Sequence, residues 1–128
     1  MKLVVEISAG ELLDKIAILE IKREKIRDEA KLANVVREHA ALVEALETHI
    51  VQSDELSRLR VALKDVNAEL WRIEDEIRAQ EKAQTFGEAF IALARSVYRM
   101  NDRRAAIKRE INALLQSPIV EEKSYAEY

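Results

Sequence analysis

Four carboxylates have the residue type and spacing that suit metal chemistry. Glu20 and Glu24 stand one helical turn apart, and Glu74 and Asp75 belong to an acidic run that follows Glu69. Carboxylates on facing helices can hold magnesium, and the ion then places a phosphate chain for hydrolysis. Arg104 is the candidate anion-binding residue, a guanidinium able to anchor phosphate or carboxylate. Plainer readings stand beside these and are preferred. The acids alternate with lysine and arginine, as exposed helix faces do. An arginine in an apolar seam can pack its stem while its head reaches an acid on the first helix, or water. No metal ligand, catalytic residue or cofactor is therefore expected.

Other chemistry-bearing residues give less. Arg95, Arg99 and Arg103 are spaced by four, in a stretch with six basic residues and one acid, Asp102, between 95 and 109. Such a stripe could meet nucleic-acid phosphates. The chain carries a net charge of -3, however, and a solvated helix face is the expected role. His39 falls on an inner helix face and reads as a hydrogen-bonded core residue. His49 sits near a helix end, and neither histidine has zinc spacing. Gly10 and Gly87 lie in first helical turns, where free amides can hold an anion, but no strand-turn fingerprint precedes them. The absence of cysteine excludes disulfides, thiolate metal sites and a thiol nucleophile.

The elements that position these residues are helices. Only two glycines and one proline interrupt 128 residues that are 48% hydrophobic and 35% charged, enough for a single domain. Residues 2–7 alternate as a short strand would. Ser8-Ala9-Gly10-Glu11 then forms a capping box that opens a helix at about 9–28, and a second helix follows at about 31–51. Its inner face reads Leu32, Val36, His39, Val43, Leu46 and Ile50.

The third helix, about 54–83, carries Leu56, Leu59, Leu63, Val66, Leu70, Ile73 and Ile77, a coiled-coil-like alternation of threes and fours. Thr85-Phe86-Gly87-Glu88 repeats the first capping box, so the fourth helix is placed at about 86–116, ended by Ser117-Pro118. Asn67, Asn101 and Asn112 border the seams and are expected to fix register. Residues 118–128 form an extended tail, with Ile119 and Val120 predicted to pair with the first strand. The fold class is all-α, an antiparallel bundle of a short and a long helical hairpin.

At 1.5 Å per residue the short helices span roughly 30 Å and the long ones roughly 44 Å. The long hairpin should therefore overshoot, carrying Trp71, Ile73, Ile77, Phe86, Phe90 and Leu93 on an uncovered tip. Exposed apolar patches of this kind mark interfaces, and a two-fold dimer is the simplest cover. The opening Met1-Lys2-Leu3-Val4-Val5-Glu6 meets a charge too early for a signal peptide, and no apolar run approaches the ~20 residues of a membrane span. A cytoplasmic setting without membrane contact is expected.

Several stretches together resemble a family of small bacterial and phage proteins known as a domain of unknown function. They are Gly10-Glu11-Leu12-Leu13-Asp14-Lys15-Ile16, Ile18-Leu19-Glu20-Ile21-Lys22, Leu70-Trp71 with Ile73-Glu74-Asp75, Phe90-Ile91-Ala92-Leu93-Ala94-Arg95 with Val97-Tyr98, Asn101-Asp102-Arg103-Arg104-Ala105 and Glu121-Glu122-Lys123-Ser124-Tyr125. The resemblance spans nearly the whole chain but implies no activity, cofactor or catalytic residue. It does imply that Glu11, Asp14, Lys15, Glu20, Trp71, Glu74, Asp75, Asn101, Asp102 and the closing Glu-Glu-Lys-Ser-Tyr belong to one shared pattern. The function expected from the sequence is a non-catalytic interaction module, homodimeric, with a protein partner or a small anionic ligand. The alternative is a small helical enzyme acting on a phosphorylated molecule with a carboxylate-bound metal.

Overall fold

A computed structural model describes residues 1–128, and its regular structure is entirely helical: α1 (Ala9–Lys25), α2 (Glu29–His49), α3 (Asp54–Ala83) and α4 (Glu88–Leu114). Three starts are capped as the sequence chemistry requires. Ser8 accepts the Glu11 amide at 3.1 Å, Asp28 that of Lys31 at 2.9 Å, and Ser53 that of Leu56 at 3.1 Å.

The fourth start differs from expectation. Gly87 occupies the cap of α4 with no side-chain bond, and the helix begins at 88. The Thr85 hydroxyl instead donates back to Gln80, at the end of α3, where Gln84 takes the left-handed conformation at φ 59°. The second capping box thus closes the preceding helix because the chain reverses within four residues, leaving Thr85 on the wrong side of the turn.

α1 is the central element. Its Leu12, Leu13, Ile16, Ala17, Leu19 and Ile21 are all buried, so it is apolar almost all round, as a helix enclosed by others must be. It packs on α2, α3 and α4, α3 packs on α4, and α2 lies beside α1 alone. The core joins Leu12, Leu13, Ile16 and Ala17 to Leu46, Leu56, Leu63 and Ile111. On α2 the inward valine is Val35 rather than Val36, which is 42% exposed. Leu32, Val35, His39, Leu42 and Leu46 keep a strict three–four alternation, as the predicted stripe through Val36 also does, so packing and not periodicity decides between the two.

The N-terminal strand is absent. Residues 1–8 have no regular structure, and Leu3, Val4 and Val5 are 79%, 85% and 75% exposed. The predicted pairing with Ile119 and Val120 does not form, since no backbone hydrogen bond joins the two segments. Alternation alone cannot make a strand when no second edge satisfies its amides.

Candidate functional site

Gly10, in the first turn of α1, fixes how that helix meets α4. The opening amides of a helix lack internal partners, and here α4 and the turn after it supply two of them. Gly10 N–H donates to Asn112 Oδ1 at 2.7 Å, and Ala9 N–H to Ser117 Oγ at 3.3 Å. Such close approach needs a residue without Cβ, because a methyl at position 10 would lie 2.6 Å from the Lys108 carbonyl oxygen.

The approach brings Glu11, the next residue, and Asp14, one turn further along α1, onto two bases of α4. Lys108 Nζ donates to Glu11 Oε2 at 2.7 Å and lies 3.7 Å from Asp14 Oδ2. Arg104 Nε is 3.5 Å from the same Asp14 oxygen, while Asn67 of α3 donates to Asp14 Oδ1 at 2.7 Å. The Asp14 and Lys108 side chains are only 3% and 7% exposed, so these are charges taken out of water and compensated by each other. No buried side-chain polar atom lacks a partner.

A third carboxylate completes the cluster. Residues 118–128 run back along α4, and Glu121 Oε2 accepts from Lys108 Nζ at 2.7 Å. Lys123 donates to Asp102 at 2.8 Å and the Tyr128 hydroxyl to the same carboxylate at 2.7 Å. The Tyr128 ring rests 4.8 Å from that of Tyr98. Between this segment and α4 lies an open cleft of about 1240 Å³, lined by Asn101, Arg104, Ala105, Lys108 and Arg109 among others.

Burial on its own would push the Lys108 ammonium down. Hydrogen bonds to Glu11 and Glu121, with the charge of Asp14, outweigh it and hold the group above the usual lysine value. A lysine so held stays charged at neutral pH and so keeps its ion pairs. Glu121 is held below the usual glutamate range by the Lys108 hydrogen bond and charge, helped by Arg104 and Lys123. Asp102 is lowered by its bonds from Lys123 and Tyr128.

Carboxylates lowered in this way stabilise docking above their ordinary pKa of about 4 and lose that effect as pH falls through the lowered values. The C-terminal segment should therefore leave α4 on acidification below about pH 4 while the helices persist. The Tyr128 ring resonances report it by NMR. Tyr128 shifts that stay unchanged as the Glu121 and Asp102 carboxylates protonate, in a chain still helical, would contradict the docking chemistry.

The predicted site residues lie in three places. Arg104 is in the cluster, paired to Asp14 with its side chain 32% exposed. Glu20 faces Arg60 at 4.0 Å, Glu24 bonds Lys64 at 2.8 Å and Glu74 bonds Arg78 at 3.0 Å. The α1 and α3 acids do not converge, since Lys64 and Glu74 are ten positions apart, roughly 15 Å of helix. No three His, Asp or Glu residues are grouped to hold a metal. Asp75, Arg95, Arg99 and Arg103 are exposed.

Of the tip residues, Phe86 is exposed and Trp71, Ile77, Phe90 and Leu93 are half-buried. Ile73 corrects the expectation: at 1% exposure it belongs to the interior of the chain and not to an uncovered tip. His39 is half-buried with Nδ1 3.4 Å from Arg23. Lys108 did not stand out in the sequence, and Glu121 did so only as part of the closing Glu-Glu-Lys-Ser-Tyr that the family resemblance marks. The one signal was the i, i+4 pair Arg104 and Lys108 matching the i, i+3 pair Glu11 and Asp14.

These features define an all-helical protein whose central helix is locked to its neighbour by a buried ion cluster. The chain belongs to a family of unknown function (DUF6165), matched over residues 1–128. Comparison with curated proteins and with solved structures gives no match. No helix is long and apolar enough to cross a membrane.

Proposed function

We propose that the chain is a non-catalytic, homodimeric interaction module of the cytoplasm, built as two antiparallel helical hairpins. Two copies meet over the Phe86–Phe90 end of the coiled-coil-like α3–α4 pair. The observation that supports this is where burial stops. Beyond Ile73 on α3, and before Lys108 on α4, no residue is fully buried. Phe86 and Ile91 are 49% and 53% exposed there, with Phe86 set edge-on to Phe90 at 5.2 Å.

Magnitudes set the expected strength. Fully burying a Phe or Ile side chain is worth about 1.5–3 kcal/mol, so burying the exposed half of four such side chains gives about 4 kcal/mol. Association costs at least about that much, so further cover of half-buried Trp71, Ile77 and Leu93 is required. The dimer should thus be concentration-dependent.

Light scattering across about 1–100 µM tests this, within the range where such weak interfaces titrate. The wild type should approach twice the chain mass. Phe86→Glu, at an exposed position, and Phe90→Glu should both give folded monomers. A wild-type monomer throughout would overturn the reading.

A further inference from the structure

We infer that the α4 face of the cleft, which residues 118–128 cover in cis, is a docking surface for an acidic, tyrosine-bearing peptide of a partner protein. The chain's own segment shows the chemistry the surface accepts. A glutamate carboxylate reaches the nearly buried Lys108 at 2.7 Å, and a tyrosine hydroxyl reaches Asp102 at 2.7 Å with its ring against Tyr98. This does not depend on self-association.

Three observations mark the segment as exchangeable. It forms no backbone hydrogen bond with any helix. Its anchors are covered on one side only: the Glu121 side chain is 62% exposed although its partner Lys108 is 7% exposed, and Lys123 is 29% exposed. It also stands off α4 as one wall of the cleft, leaving Tyr125 81% exposed. The turn that delivers it includes Gln116 in the left-handed region at φ 51°, a conformation costly for a non-glycine residue. An undocked form should be populated at about 0.1–10%. Lys108 then loses Glu121 but keeps Glu11 and Asp14, so the vacancy fits one incoming carboxylate.

A tethered occupant competes at an effective concentration on the order of millimolar. Weakening it must raise the apparent affinity for a peptide added in trans. The probe is a fluorescent synthetic peptide of residues 117–128, titrated into full-length wild type and full-length Glu121→Gln. The substitution lies on the exposed segment, and circular dichroism verifies that the helices are retained. The peptide should bind the variant at least about tenfold tighter than wild type, as relief of cis competition requires. The same peptide with glutamine at its own position 121 should bind the variant at least about tenfold more weakly than the native peptide.

Equal binding of the two peptides would overturn the docking surface. So would equal affinity of the two proteins, or no binding up to about 1 mM. A dimer that survives Phe86→Glu but is dissolved by Glu121→Gln would instead make the occupant the segment of a second copy, and would overturn the partner reading.

Discussion

Gly10→Ala is expected to destabilise the protein by about 3 kcal/mol, although glycine to alanine inside a helix ordinarily gains up to about 1 kcal/mol. The reversal of sign comes from the contact with α4. The added methyl would sit 2.6 Å from the Lys108 carbonyl oxygen and 3.0 Å from Asn112 Oδ1. A backbone oxygen in the middle of a helix cannot turn aside, so α1 must retreat. Overpacking of this kind costs about 1–3 kcal/mol. Retreat also stretches the buried 2.7 Å bond from Gly10 N–H to Asn112, and an orphaned buried pair adds about 1–3 kcal/mol.

The loss should appear as a fall of about 10 °C in Tm. Gly87→Ala is the internal control, because nothing lies within 4 Å of a methyl there, and its effect should stay below about 1 kcal/mol. An unchanged or raised Tm for Gly10→Ala would mean that α1 does not approach α4 as closely as described.

The contrast between the two glycines also shows what the sequence conveyed and what it withheld. Both stand in S/T-x-G-E stretches that read as identical caps. One lies against a neighbouring helix and the other faces open space, and only tertiary placement separates them. The helices themselves were legible, because alternating threes and fours between cap residues survive any packing arrangement; α3 runs from 54 to 83, where the pattern put it. Local signals failed where a partner decides the outcome. Residues 2–7 alternate, yet no second strand arrives. Val36 yielded the inner face of α2 to Val35 because neighbouring valines offer two registers and packing selects one.

The ion cluster was half visible. Arg104 stood out as a charge in an apolar seam, and Asn67 and Asn112 as polar residues beside one. Lys108 merged into a basic stretch, since nothing in a run of arginines and lysines tells which one turns inward. Its burial follows from the Gly10 contact, which presses α1 onto α4 at that turn. Glu121 was marked by the family resemblance, but its partner was hidden for a related reason. An acidic tail has no periodicity, so its seat depends on the cation it finds.

Pairing Asp14→Ala with Lys108→Met separates the structural role of this cluster from its role in docking. Asp14→Ala leaves Lys108 with Glu11 and Glu121 but orphans the buried Asn67 amide and frees Arg104, which should cost about 3 kcal/mol. Lys108→Met should cost less, about 2 kcal/mol, because Asp14 keeps Asn67 at 2.7 Å and Arg104 at 3.5 Å. The double variant, with neither charge left at the crossing, should fall short of the sum by about 1.5 kcal/mol. Urea unfolding of the four proteins measures this, and additivity within about 0.3 kcal/mol would show that the two charges are not coupled. The segment 118–128 should respond differently from stability. Lys108→Met removes the donor to Glu121, so Tyr128 should take on solvent-like NMR shifts even though this is the milder single variant. Asp14→Ala, the costlier one, should leave Tyr128 against Tyr98. Release of the segment in proportion to lost stability, rather than to loss of the ammonium, would argue that the tail merely follows the fold and that Lys108 does not hold it.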